Sequence, residues 1–200
     1  ALCGALAALA VFDLAVLVGG AGAAWPAWAS ICLTVPFIPH AWALYPEMAG
    51  AAIVAWATLW LLREPPARLA PWLWRGVCLA WLPWLHTKFS VFLAIFAGAL
   101  ALRLLRRPAL LGAFLAPIAI SGALWLYSFY AIYGVLDPEA PYGAYTGIYV
   151  LTRNIPHGLL GILFDQKFGF IFYSPVYLTA AAGAWLILRA LDGVALGTLQ

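Results

Sequence analysis

Apolar runs close to the length of a membrane span recur from one end of this chain to the other. A helix needs about 20 predominantly apolar residues to cross a hydrocarbon layer roughly 30 Å thick. Seven such segments can be drawn, over 1–22, 25–45, 46–62, 69–86, 89–105, 108–133 and 168–189. Repetition of that kind excludes a single leader followed by a soluble domain. With 66% hydrophobic and 8% charged residues, against about 25% charged in soluble domains, the chain lacks the polar surface to coat one wet core. The expected fold is therefore all-α, a polytopic transmembrane helix bundle of six or seven spans forming one domain over 1–200, with the lipid bilayer as its first partner. Ala1 stands inside an apolar run with no initiator methionine, so the expectation is a fragment of a longer polypeptide.

The ten Lys and Arg residues give a net charge of +3, but they sit singly or in short groups between apolar runs. They form no basic face, and nucleic acid is not an expected partner. Their placement speaks instead to topology, because cytoplasmic loops carry the excess of Lys and Arg. Alternate connections divide them into Arg63, Arg68, Arg75, Arg103, Arg106, Arg107 and Arg189 on one side, and Lys88, Arg153 and Lys167 on the other. The Arg-rich side is expected to face the cytoplasm of a bacterial cell, across the inner membrane. The corners Tyr45-Pro46-Glu47 and His86-Thr87-Lys88 and the stretch 134–167 then face outward together. Trp25, Trp28, Trp72, Trp74 and Trp84 fall near span ends and read as interfacial anchors. Cys3, Cys32 and Cys78 lie inside apolar runs without CxxC spacing and read as small buried hydrophobes.

Two segments depart from plain spanning sequence. The second span carries Pro36 and Pro39, which predict a kink whose freed backbone groups need other partners. The outward stretch 134–167 is the one long polar segment, holding Asp137, Glu139, Tyr142, Tyr145, Tyr149, Arg153, His157 and Asp165. A loop that long is usually functional or disordered, and its aromatic content argues for function. Within it, 156–164 reads as a short interfacial helix with Leu159, Leu160, Leu163 and Phe164 on one side and His157 on the other.

Ionisable residues at membrane depth are costly and need a partner or a watery cavity. They are Asp13, His40, Glu47, His86 and Lys88. Glu47 after Pro46 is also what an ordinary helix start looks like. The functional reading places Glu47, His40 and His86 around one cavity. No cofactor is called for, although two imidazoles and a carboxylate could hold a divalent metal. Lys88 stands where an ammonium meets phosphate at headgroup depth, whether of ordinary lipid or of a substrate. Asp13 reads as a helix-end cap or an internal pairing partner. The absence of P-loop, GxSxG, HExxH and CxxC patterns removes ATP hydrolysis, serine hydrolysis and zincin chemistry.

Three phrases together carry a resemblance: Leu44-Tyr45-Pro46-Glu47, Leu82-Pro83-Trp84-Leu85-His86-Thr87-Lys88-Phe89, and Gly161 to Gly169 leading into Tyr173-Ser174-Pro175-Val176-Tyr177. Over roughly residues 30 to 189 the chain resembles GT-C class membrane glycosyltransferases. These are related to the dolichyl-phosphate-mannose protein mannosyltransferases and the aminoarabinose transferases of lipid A. The resemblance implies transfer of a sugar from a polyprenyl-phosphate carrier to an acceptor outside the inner membrane, by inversion at the anomeric carbon. It also implies an acidic catalytic base in a first outward loop, expected upstream of residue 1. Lys88 looks like the family's Thr-Lys corner and its ligand for the carrier phosphate, although Phe89 stands where relatives place Gly. Tyr45, Glu47, His86, Arg153, Asp165 and Lys167 complete the expected substrate-binding set. A carrier or flippase of lipid-linked sugars, needing no base, and a non-catalytic scaffold binding a partner through the outward loop are the rival readings.

Overall fold

The computed structural model describes residues 1–43, 45–143, 154–165 and 169–197, and among them every regular element is a helix. The chain divides into two units, residues 1–144 and 145–200.

In the first unit the helices are α1 (Leu2–Cys32), α2 (Phe37–Trp42), α3 (Glu47–Leu62), α4 (Leu69–Ala80), α5 (Leu82–Leu85), α6 (Ser90–Leu104) and α7 (Pro108–Tyr133). Short 3-10 turns occupy Thr87–Phe89 and Ala140–Tyr142. Three stretches, Leu2–Cys32, Thr87–Leu104 and Pro108–Tyr133, are long and apolar enough to cross a membrane. The segments expected over 46–62 and 69–86 fold as α3 and as α4 with α5, each shorter than that. Large apolar side chains such as Val18, Val91, Leu102, Ile120 and Ile132 are exposed on the outside of these helices. That surface suits lipid and not water.

The 31-residue α1 is not straight. Gly20 adopts φ 76° and ψ 173°, outside the helical region. Thirteen residues of straight helix rise about 20 Å, yet the rings of Phe12 and Trp25 lie 4.9 Å apart edge to face. The run therefore folds back at Gly20 into two arms, two residues before the end expected for the first segment at 22. The second arm ends at Cys32 and helix resumes at Phe37, which places the kink expected from Pro36 and Pro39 just ahead of Pro36. Side chains take up freed carbonyls there: Thr34 Oγ1 donates to Ser30 O at 2.6 Å and His40 Nδ1 to Pro36 O at 2.8 Å.

The core lies among α3, α4, α6 and α7, where Ala57, Trp72, Leu79, Leu100, Leu104 and Phe114 are fully buried. Trp72 meets Phe114 edge to face at 5.7 Å and donates its Nε1 hydrogen to Pro66 O at 2.9 Å, tying the α3–α4 link to the core. Gly76 lets α4 and α7 touch: a Cβ there would overlap Phe114 O and stand 2.7 Å from Pro117 Cγ. Elsewhere along the same helices, Trp84 Nε1 donates to Ser121 Oγ at 2.9 Å and Ser121 Oγ donates to Ala80 O at 3.1 Å, a polar bridge between α5, α7 and the end of α4.

Two contacts set the bundle's ends. Lys88, at the head of α6, pairs with Glu47, at the head of α3. Arg103, in the last turn of α6, donates to Leu61 O at 2.6 Å and Arg63 O at 3.3 Å, at the tail of α3. Helices α3 and α6 thus run parallel and level, and the corners at 45–47 and 86–88 share one end, as expected from the charge count.

The second unit holds α8 (Ile155–Phe164), α9 (Phe170–Tyr173), a 3-10 turn at Pro175–Tyr177 and α10 (Leu178–Gly197). The short helix expected over 156–164 is present as α8, with Leu159, Leu160, Leu163 and Phe164 all exposed. The long helix expected over 168–189 is displaced to Leu178–Gly197. Pro175 cannot donate a backbone hydrogen bond and holds Ser174 away from helical geometry, at φ −147° and ψ 68°.

Candidate functional site

The head of α6 is built by proline, histidine and phenylalanine acting in turn. Pro83 sits in the first turn of α5, a position that tolerates its missing N–H. His86 then leaves the helix in extended conformation, at φ −168° and ψ 140°. Its ring caps the next turn, with Lys88 N donating to His86 Nδ1 at 3.3 Å. Accepting that bond fixes the neutral tautomer with hydrogen on Nε2. Phe89 is buried and anchors the corner on α3, where Gly50 makes room for it: a Cβ at Gly50 would stand 2.8 Å from the Phe89 ring. Phe89 thereby fastens the Lys88 turn to the first turn of α3.

Lys88 Nζ donates to Glu47 Oε1 at 2.8 Å, with the two side chains 51% and 36% exposed. An exposed pair of this kind adds little stability and stays open to exchange. The second oxygen, Glu47 Oε2, is buried and has no hydrogen-bond partner among the described residues. Tyr45 precedes the pair with an exposed ring 6.5 Å from that of His40.

A cleft of about 360 Å³ opens on the other side of the corner, lined by His86, Thr87, Trp125, Phe129, Tyr133 and Tyr142 among others. The single cavity expected to hold both Glu47 and His86 is thus two neighbouring features. Lys88 turns toward α3 and Glu47, whereas His86 and Thr87 face α7 and the Ala140–Tyr142 turn. Consecutive residues of an extended or 3-10 segment project to different sides, which is why one short motif serves both. Sequence pattern does not single out Tyr133; its place as the last residue of α7 is the available signal.

His40, Glu47 and His86, which by type could hold a metal, do not assemble into such a set. Among the described residues no three His, Cys, Asp or Glu side chains stand together closely enough to hold an ion. His40 Nδ1 is committed to the Pro36 carbonyl instead. Asp13 is no helix-end cap: its Oδ2 accepts from Arg63 Nη2 at 2.8 Å, at the end opposite Lys88. Asp165 lies just past α8, where its carbonyl accepts from Gly169 N at 2.7 Å. Arg153, Lys167, Tyr145 and Tyr149 lie outside the described residues.

Compared with protein-family models, with curated proteins and with solved structures, the chain matches none.

Proposed function

We propose that this chain is a GT-C-like glycosyltransferase of the bacterial inner membrane, working on a polyprenyl-phosphate-linked sugar at the outer face. The observation that carries the reading is the Lys88–Glu47 pair, set beside an aromatic and imidazole-lined cleft at the end of the bundle away from Arg63 and Arg103. The arms of α1 with α2, α3, α4 with α5, α6 and α7 make six passes, and α10 a seventh. The level heads and tails of α3 and α6 support counting the shorter helices as passes. The arginine end faces the cytoplasm, and α8 rests at the headgroup boundary through its exposed leucines.

In this reading the phosphodiester of the carrier-linked sugar takes Lys88 from Glu47, exchanging one singly charged partner for another at headgroup depth, and the partner's charge rises as polyprenyl phosphate is released. The acceptor oxygen attacks the anomeric carbon, the bond from that carbon to the phosphate oxygen breaks, and polyprenyl phosphate leaves with its negative charge beside the Lys88 ammonium. The acceptor's proton goes to a carboxylate base. Tyr142, Tyr133 and the Nε2 hydrogen of His86 hold the sugar in the cleft, whose aromatic faces suit the apolar side of a pyranose.

The test uses the full-length protein in nanodiscs with a photoactivatable polyprenyl monophosphate as probe. The unaltered protein is labelled, Lys88→Ala loses labelling about tenfold or more, and Lys88→Arg keeps part of it. Because the ion pair is exposed, Lys88→Ala leaves the unfolding midpoint almost unchanged. Undiminished labelling of Lys88→Ala discards the phosphate role.

A further inference from the structure

The opposite end of the bundle carries a second arrangement that the transfer reading does not use. Three guanidinium groups gather around the last turn of α3. Arg63 is held by Asp13 at 2.8 Å. Arg103 Nη1 lies 3.4 Å from Trp60 O and 2.6 Å from Leu61 O, satisfying carbonyls that the helix leaves open. Arg75, one helix away on α4, stands with its guanidinium carbon 4.6 Å from the Trp72 ring and 5.5 Å from the Trp60 ring. Neither of the ion pairs Asp13–Arg63 and Glu47–Lys88 includes Arg75. Its Nη1 is buried with no hydrogen-bond partner among the described residues. A cation placed two turns inside an apolar helix and resting only on ring faces lacks the counter-charge that such a position demands.

The same rings open onto an apolar groove. Leu6 of α1, Ala52, Trp56 and Trp60 of α3, and Trp74 and Cys78 of α4 line a volume of about 440 Å³. Trp60 belongs to both features, its ring flooring the groove and facing Arg75. Cys78 lies one turn from Arg75 on the same face of α4. Apolar lining that runs up to an uncompensated guanidinium describes the two ends of one amphiphile. A free phosphate would use the cation but not the groove. A zwitterionic lipid would bring an ammonium to a cluster of three guanidinium groups, where Asp13 is already engaged by Arg63.

We propose that this groove binds a diacyl phospholipid with an anionic headgroup, the acyl chain lying between α1, α3 and α4 and the phosphate meeting Arg75. Arginine suits the role because its planar fork binds two phosphate oxygens while its face stays on an indole. The site is structural, independent of the sugar-transfer reading, and lies at the end away from Lys88.

The experiment is native mass spectrometry of the full-length protein released from micelles holding equal amounts of phosphatidylglycerol and phosphatidylcholine with identical chains. The unaltered protein retains phosphatidylglycerol about tenfold in preference. Arg75→Gln retains the two lipids equally, and Arg107→Gln, on the exposed α6–α7 turn, keeps the preference. Ala52→Phe fills the groove and lowers retention of both. Equal retention by the unaltered protein overturns the proposal whatever the variants do. A folded Arg75→Gln that keeps the preference overturns it, as does an Ala52→Phe variant that retains phosphatidylglycerol undiminished.

Discussion

Replacing Gly76 by Ala tests whether α4 and α7 meet where the structure places them. The added Cβ would overlap the carbonyl oxygen of Phe114 and lie 2.7 Å from Pro117 Cγ. Ordinary carbon contacts begin near about 3.5 Å, so Pro117 must retreat by most of an ångström. The carbonyl has no freedom to rotate away, since it belongs to helical backbone. Pro117 is equally fixed, because its ring is closed on that same helix. The two helices must therefore separate, loosening the Trp72–Phe114 contact at 5.7 Å that both fully buried rings share. Overpacking of this kind costs about 1–3 kcal/mol, against which the better helix propensity of Ala returns about 0.5–1 kcal/mol. A net loss of about 0–2.5 kcal/mol is expected for Gly76→Ala. Gly122, inside α7, supplies the control: a Cβ added there meets nothing within 4 Å, so Gly122→Ala keeps only the propensity gain. The assay is reversible unfolding of both variants in the same micelles, followed by tryptophan fluorescence. Opposite signs for the two substitutions are the expected result. Equal effects would refute the close approach of α4 to α7.

Three further outcomes are expected. Gly20→Ala destabilises by about 1–3 kcal/mol because φ 76° with ψ 173° belongs to a region that only glycine occupies freely; no atom lies within 4 Å, so the cost is conformational, and Gly22→Ala, with neither constraint, shows none in the same unfolding measurement. Ser121→Ala breaks the bridge from Trp84 to the Ala80 carbonyl and costs about 0.6 kcal/mol, the average for interhelical bonds in membrane proteins, with about 1.7 kcal/mol as the upper bound; after Trp84→Phe the same change costs less, and full additivity in that double-mutant cycle would remove the bridge. Single cysteines at positions 86 and 142 react with an impermeant maleimide added outside intact cells, while those at 64 and 68 react only after lysis. The reverse pattern would invert the proposed orientation.

The parts of the architecture legible in the sequence are those that depend on short-range pattern. Runs of apolar residues mark helices because a backbone in lipid has to satisfy its own hydrogen bonds. The breaks follow from residues with special backbone chemistry, such as Gly20 between the arms of α1 and the Pro36 region ahead of α2. The displaced seventh segment shows the limit of that reasoning. Hydropathy alone carries an apolar run straight through Phe170 to Tyr177, and only the local geometry at Ser174–Pro175 shows that the long helix starts at Leu178.

The site is legible in the sequence as a set of residues and not as an arrangement. Glu47 and Lys88 are separated by 41 positions, and Arg103 by 42 from the Leu61 carbonyl it caps; pairing over such distances leaves no periodic trace. What fixes the first of these pairs is a glycine that reads as ordinary helix sequence. Gly50 admits the Phe89 ring to α3 at a depth no side chain would permit, and this brings Lys88 down onto the first turn where Glu47 waits. The charge pair is therefore a consequence of apolar packing one turn below it. It follows that enlarging Gly50 would pull Lys88 away from Glu47 without touching either charge, and the bond from Lys88 N to the His86 ring would shift with the same turn. A proposed phosphate site and a proposed sugar cleft that share one three-residue corner are thus coupled through it, so a larger residue at Gly50 is expected to perturb both.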